Sequence, residues 1–338
     1  LVGISKDFRD NGHRLKNKII SVNLNSSYMI KGKSGSYKVE FINMTHSTIQ
    51  SSIIAVHTKE GIVLYANDYK LDNTPTFGDK PNYHRLKELA RKGIKALIVD
   101  CLYAPDNRKT PSEKIAKGLL EDVFFTTANR NSGMIITTFS SHIARLKTIT
   151  EFGQRIGRKV IFLGRSLGKY MQAAHNVRAD SFARNVRILT YRRKIEKMIK
   201  EINRNKKKYL IVCTGHQGEP GSILDRIARK EIPLHLEKED QVIFSSKTIP
   251  TPINEVQREQ LEKRLEKFHV RIFDNVHVSG HGGREDLRDL IKLTMPEHVI
   301  PSHGDLDKTT AGAKLAQEMG YKLNKTVHLM SNGSYVEF

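Results

Sequence analysis

The chain has 338 residues, and 57 Lys+Arg against 36 Asp+Glu leave a formal charge of +21. Roughly two to three domains of about 100–200 residues fit that length, and 38% hydrophobic residues suffice for a buried core, which excludes general disorder. No run approaches the ~20 consecutive apolar residues of a membrane span, no signal-peptide pattern opens the chain, and two cysteines, Cys101 and Cys213, argue against a disulfide scaffold, so a reducing cytoplasm is the expected location.

In chain order, residues 38–44, 53–57 and 62–66 read as strands, the last two joined by a Lys59-Glu60-Gly61 hairpin. A helix over 83–92 leads to a strand over 95–99, and a helix over 112–127 opens at Pro111-Ser112. From residue 134 the rhythm becomes strand, small-residue turn, helix. Strand 134–138 runs into Phe139-Ser140-Ser141, strand 159–163 into Gly164-Arg165-Ser166, strand 209–213 into Thr214-Gly215-His216-Gln217-Gly218, and strand 241–245 ends in Ser245-Ser246. This is the signature of an open, mainly parallel sheet, whose ligands sit beyond the carboxyl ends of the strands. A helix over 254–267, a strand over 276–278, a helix over 284–294, a strand over 298–300, a helix over 307–319 and strands over 325–329 and 333–337 complete the chain. Two α/β units, one intruding on the other, fit this order.

Charge is concentrated in 181–210, where eleven Lys/Arg stand against Glu196 and Glu201. Ile188, Leu189, Ile195, Met198 and Ile199 recur there at helical spacing, which predicts an amphipathic basic helix. Two readings stay open: contact with a nucleic acid, driven by counterion release, or a solvated face in a Lys/Glu-rich, heat-adapted protein.

His46, Asp68, Asp100, His281 and His303 all fall just past the carboxyl ends of expected strands, where loops on a rigid scaffold collect a site. Imidazole and carboxylate together suit zinc or manganese with a position left for water. Taken singly, a histidine is more often a hydrogen-bonded surface residue, and Asp68 or Asp100 could merely cap a turn. In Ser279-Gly280-His281-Gly282-Gly283 the small residues allow backbone N–H groups to approach an anion before a helix N-terminus; a tight turn needing φ > 0 is the alternative. No Walker pattern occurs, which argues against that kind of nucleotide hydrolysis.

The run Val276-His277-Val278-Ser279-Gly280-His281-Gly282-Gly283-Arg284-Glu285-Asp286-Leu287 and the later Val299-Ile300-Pro301-Ser302-His303-Gly304-Asp305 resemble ribonuclease J, a group of the β-CASP nucleases. Thr45-His46-Ser47 and Asn67-Asp68-Tyr69-Lys70-Leu71-Asp72 look like that family's third and fourth metal motifs. The resemblance implies an α/β fold: a metallo-β-lactamase αββα sandwich, incomplete at the N-terminus, with an inserted β-CASP domain of open, mainly parallel sheet. Residues 1–117 and 285–338 would form the lactamase-like domain and 118–284 the insertion. It further implies His46, Asp68 and His303 as metal ligands, Asp68 bridging two Zn2+ ions (Mn2+ or Mg2+ as substitutes) about 3.5–4 Å apart. His281 would contact the scissile phosphate and Asp100 would orient a neighbouring histidine, so that His281, Asp100 and Asp68 form the catalytic set. His277, Val278, Ser279, Gly280, His281 and Gly282 would line the nucleotide, with Ser140 and Ser141 at a 5′-monophosphate.

By the same resemblance the partner is single-stranded RNA, degraded 5′ to 3′ from a monophosphate end and also cut internally, with no membrane involved and a homodimer left open. The family's H-x-H-x-D-H motif is absent, and no H-x-H occurs in the 338 residues. With Leu1 as first residue this implies an N-terminally shortened fragment that is itself poor in metal and inactive, and the stop soon after Val336-Glu337-Phe338 with strong Lys enrichment looks like an archaeal short form. A silent RNA-binding subunit and an endonuclease of the cleavage-factor kind are the alternatives.

Overall fold

The computed structural model describes residues 20–33, 35–127 and 131–338. Those residues fall into two compact units, one of 114–278 and one of 20–113 with 279–338. The divisions lie at 113/114 and 278/279, against the expected 117/118 and 284/285, so the Ser279–Gly283 loop belongs with the discontinuous unit.

The discontinuous unit is built on a six-stranded sheet in the order β1-β2-β3-β4-β5-β12. Its strands are β1 (Ser26–Gly32), β2 (Gly35–Met44), β3 (Ser51–His57), β4 (Ile62–Ala66), β5 (Ile94–Asp100) and β12 (His298–Ser302). β1 through β4 pair antiparallel, whereas β5 is parallel to both β4 and β12. Consequently β2, β4, β5 and β12 all point the same way, and their carboxyl ends lie along one edge. Helix α1 (Tyr83–Lys92) makes the parallel crossover from β4 to β5. It starts where the Asn82 side chain accepts from Arg85 N and stops at Gly93, whose φ of +93° a larger residue resists. Leu86 and Leu89 of α1 join Met44, Ile53, Leu64, Leu97 and Val99 of the sheet, together with Leu290 of α8 (Arg284–Thr294) and Leu315 of α9 (Leu306–Glu318), in one core.

The continuous unit has a fully parallel sheet in the order β11-β10-β6-β9-β7-β8. Its strands are β6 (Met134–Thr137), β7 (Lys159–Leu163), β8 (Arg187–Leu189), β9 (Tyr209–Cys213), β10 (Gln241–Phe244) and β11 (Arg271–Phe273). The connecting helices are α2 (Glu113–Phe125), which begins one residue before the unit, α3 (Ile143–Arg155), α4 (Arg165–Asn176), α5 (Arg192–Arg204), α6 (Ile223–Ala228) and α7 (Pro252–Glu266). Runs such as Val160-Ile161-Phe162-Leu163 are buried end to end, as a parallel sheet covered on both faces requires.

Four expectations are corrected. Residues 181–210 do not form one basic helix: Ile188 and Leu189 belong to edge strand β8, paired with β7, and the helix proper begins at Arg192. Residues 276–278 form no strand; Arg145 Nη1 and Ser245 Oγ claim the Val276 carbonyl. The segment 325–329 forms no ladder with β12: its backbone bonds to that strand are Val299 N to Thr326 O and His328 N to Val299 O, beside a His298–His328 ring contact at 3.0 Å, and 333–337 has no ladder. β1 and β11 are strands without a sequence expectation.

No helix among the described residues is long and apolar enough to cross a membrane.

Candidate metal centre and functional site

The shared direction of β2, β4, β5 and β12 brings four of the expected residues to one edge of the sheet. His46 lies two residues past β2, Asp68 two past β4, Asp100 ends β5 and His303 follows β12. Asp100 is the register partner of Ser302, and the crossing is locked by Cys101 N donating to Ser302 O at 2.9 Å and Ser302 Oγ donating to Val99 O at 3.1 Å. Across the sheet, Lys70 N donates to Thr45 O at 2.8 Å, Thr45 Oγ1 bonds the Lys70 carbonyl, and Asp72 N donates back to Thr45 Oγ1 at 3.1 Å. The His46 and Asp68 loops are therefore stitched together before any ligand is considered.

His281 enters from the loop before α8. Its Nδ1 lies 2.6 Å from Asp100 Oδ2, and the Asp100 side chain is fully buried, with Leu102 N donating to its other oxygen at 2.8 Å. With Nδ1 held by a carboxylate, Nε2 is the free ring atom, and it faces His46 Nε2 at 3.3 Å. The His281 ring stacks on that of His303, centroids 5.3 Å apart and 14° from parallel. Asp68, His281 and His303 each offer a ligand atom, and those atoms lie within 4.8 Å of one another. Asn67 Nδ2 donates to Asp68 Oδ1 at 3.0 Å and lies 3.4 Å from His303 Nδ1, steering both. His303 itself sits at φ +54°, a left-handed conformation that costs a non-glycine residue about 1 kcal/mol. Nitrogen and oxygen donors of this type, converging on a half-exposed edge, suit a divalent ion such as zinc or manganese.

The glycines of the loop act differently from either sequence reading. None of Gly280, Gly282 and Gly283 has a positive φ. Instead a Cβ at 280 would overlap Ser47, one at 282 would lie 2.9 Å from Asp286 Cβ and 3.2 Å from the Tyr69 ring, and one at 283 would overlap the Arg108 carbonyl. Nor do the backbone N–H groups form an anion cradle. His281 N donates to Ser279 Oγ, Gly282 N to Tyr69 O, Gly283 N to Asp286 Oδ2 and Arg284 N to Asp106 O. Burial pushes the Asp286 carboxyl up, opposed by the N–H groups of Thr110 and Gly283. What the loop presents outward is the His281 ring.

The expected nucleotide-lining stretch divides between the units, with Ser279, Gly280, His281 and Gly282 in this one and His277 and Val278 in the other. In the continuous unit the carboxyl ends of β6, β9 and β10 carry Ser140 and Ser141, His216, and Ser245 and Ser246. The Phe139 ring packs 4.2 Å from that of His216, and burial pulls the His216 imidazole below its ordinary range. Ser246 Oγ is buried without a hydrogen-bond partner, and His216 Nδ1 lies 3.5 Å from Glu219 Oε1. Arg145, fully buried on α3, donates to Ser245 O at 3.0 Å, Ser245 Oγ at 2.7 Å and Val276 O at 3.2 Å, and lies 3.5 Å from His277 Nδ1. Sequence reasoning passed over Arg145 and His142, the latter accepting from Arg145 N at the start of α3. The legible signal was a lone cation inside the apolar Ile143-Ala144-Arg145-Leu146.

A carboxylate-backed histidine beside an Asp–His cluster, on a mixed sheet interrupted by a parallel α/β unit, defines a metallo-hydrolase of the β-CASP class. The family model "Ribonuclease J, beta-CASP domain" matches residues 131–261, and "Zn-dependent metallo-hydrolase RNA specificity domain" matches 267–329. Curated relatives include ribonuclease J of Pyrococcus abyssi, 44% identical over 299 residues (88% of this chain, 66% of the relative), and that of Methanocaldococcus jannaschii, 43% identical over 301 (89% and 67%). Ribonuclease J of Helicobacter pylori is 31% identical over 307 residues, covering 90% of this chain and 43% of the relative. The chain belongs to the ribonuclease J family and has its metallo-β-lactamase fold with an inserted β-CASP domain. It spans about two thirds of the length of its archaeal relatives. A solved protein of unknown function from Enterococcus faecalis shares the fold, with a TM-score of 0.58 at 16% identity, covering 87% of this chain and 64% of that one.

Proposed function

We propose that the chain carries the working edge of a cytoplasmic metal-dependent ribonuclease that degrades single-stranded RNA 5′ to 3′ from a monophosphate end. The observation that carries this is the cluster Asp68–His281–His303 with Asp100 behind it. Asp68 and His303, with His46 alongside, would hold a divalent ion; zinc is the expected one, and two ions are expected where the H-x-H-x-D-H motif is present. Bound ions would supply an activated water and neutralise charge on the phosphate. Asp100 fixes the ring of His281 through Nδ1, so that the ring, when protonated on both nitrogens, can present its Nε2 hydrogen to a phosphoryl oxygen at a defined angle. Asn67 keeps Asp68 and His303 oriented. In the continuous unit, Ser140, Ser141, His216 and the Ser246 hydroxyl, which has no hydrogen-bond partner, supply the polar rim a terminal phosphate needs, and Arg145 holds His277 beside it.

The test measures metal content and RNA decay together, in a form of the protein that also carries an H-x-H-x-D-H motif. Asp68→Ala and His303→Ala are expected to lose both. His281→Ala is expected to keep the metal and lose at least 100-fold in rate, as removal of a transition-state donor does. Loss of metal in His281→Ala would make His281 a ligand instead. Substrates with 5′-monophosphate, triphosphate and hydroxyl ends are expected to rank in that order; equal rates on all three would point to internal cleavage. Tight RNA binding without decay, with metal supplied, would favour the silent RNA-binding reading that the three-donor cluster permits.

A further inference from the structure

Helix α5 shows solvent a row of cations for which the ribonuclease reading has no use. Ile195, Met198, Ile199 and Ile202 face the core. At 100° per residue, the opposite direction holds Arg193, Lys197, Lys200 and Arg204. All four are exposed, and none has a carboxylate at ion-pair distance among the described residues. The two acidic residues of the helix stand on its flanks and are engaged there. Glu196 pairs with Arg192 at 2.7 Å, and Glu201 accepts from the Tyr209 hydroxyl at 2.7 Å. The row is thus sorted by charge, which a merely soluble face does not require.

Spacing and position narrow the partner. Successive cations are four, three and four residues apart, so at ~1.5 Å rise per residue they repeat every ~4.5–6 Å along the axis. That is a phosphate-like repeat, and the row is straight and one cation wide, fitting one strand. At its head stands Tyr191, 71% exposed, with Lys194 Nζ 5.9 Å from its ring centre. Tyr191 follows β8 on the same carboxyl rim of the sheet that carries Ser140, three strands away. An aromatic platform beside a cationic track is the sequence-tolerant way to hold single strands. An anionic membrane fits less well, because a surface-bound helix needs its apolar face free, and here that face is in the core.

We infer that α5 and Tyr191 form an accessory track for single-stranded RNA, one phosphate to each of Arg193, Lys197, Lys200 and Arg204 and one base stacked on Tyr191. This rests on the ribonuclease reading only for the identity of the polyanion. The test is anisotropy of a fluorescent 20-nucleotide oligouridylate with the 338-residue chain in chelator, where nothing is cleaved. Changing all four cations to Gln is expected to lower the slope of log K against log salt by about 3, at about 0.7 per single-strand contact. Tyr191→Ala is expected to weaken binding about 5- to 150-fold with the slope unchanged, and Arg193→Lys with Arg204→Lys to keep the slope. An unchanged slope in a quadruple variant that melts like the parent would overturn the track while leaving the ribonuclease reading intact. A parent chain that binds no RNA would remove both. Selective loss of binding to phosphatidylglycerol vesicles, with RNA binding intact, would also overturn it, in favour of a membrane.

Discussion

Gly280 shows how a single hydrogen atom in place of a methyl group sets the site. Its backbone is in an ordinary conformation, so alanine there carries no torsional strain. The conflict is steric: the added Cβ would overlap Ser47 Oγ and lie 3.0 Å from both Ser47 N and Ser47 Cβ. Ser47 is the neighbour of His46, and Gly280 the neighbour of His281, so the clash pushes apart two rings now 3.3 Å from each other. Gly280→Ala is expected to cost about 1–3 kcal/mol of stability, as overpacking does, and to lower RNA decay more than 10-fold. Ser47→Gly, which deletes the obstructing side chain, is expected to restore part of the loss in the double variant. Thermal melting and rate assays on the three variants check this; no rescue would mean that the loop tolerates the methyl and that the defect has another source.

Elements hold together through a few buried polar anchors, and two of them give opposite kinds of forecast. Arg145 ties α3 to the end of β10 and to Val276–His277. Arg145→Met fills similar space but removes the charge-assisted bonds to Ser245 and Val276, whose carbonyls keep Thr138 Oγ1 and Ser245 Oγ as donors, so a loss of about 1.5–3 kcal/mol is expected, read from urea unfolding. Glu40 on β2 is the second anchor. Burial favours its protonated form, but Arg85 of α1, donating at 2.8 and 2.9 Å, and Lys38 outweigh that and bring its pKa from 4.5 down to about 2. For an acid with a depressed pKa the stabilisation is full above about pH 4.5 and fades as pH falls toward 2. The stability gap between the parent and Glu40→Gln should accordingly be largest at neutral pH and close on acidification; a gap constant from pH 7 to pH 3 would rule the linkage out. These anchors also explain what could be read in the sequence. Helices 83–92 and 284–294 announce themselves by apolar period and by caps such as Asn82. Val276-His277-Val278 looks like a strand by composition, yet its partners are Arg145 and Ser245, side chains far away in sequence. Ile188 and Leu189 continue the apolar rhythm of α5, and only their pairing with β7 makes them a strand. The candidate ligand residues were visible because strand direction alone collects carboxyl ends; that Asp286 and Tyr69 would consume the loop's N–H groups was not, since that is decided by packing.

At the scale of the molecule, each unit contains one cysteine at a strand's carboxyl end, and both are buried. Burial, with Asp100 adding to it, pushes the Cys101 thiol up to about 12, and burial pushes the Cys213 thiol higher still. Neither thiolate is populated near neutral pH, and neither sulfur meets solvent, so both should resist iodoacetamide in the native chain. Each becomes reactive only when its own unit opens, which makes the pair a two-channel reporter of unfolding, read by mass spectrometry across a urea series. The ion proposed for Asp68 and His303 gives the two channels different forecasts. A ligand that binds only the folded form stabilises it by RT ln(1 + [L]/Kd), about 2.7 kcal/mol at a hundredfold excess over Kd. All the proposed ligands sit in the unit of Cys101, which directly follows Asp100. Adding Mn2+ should thus carry the labelling midpoint of Cys101 to higher urea while Cys213 moves less, and Asp68→Ala should abolish the difference. Equal shifts at both cysteines would mean that the units unfold as one, and no shift at Cys101 would mean that this edge of the sheet holds no ion.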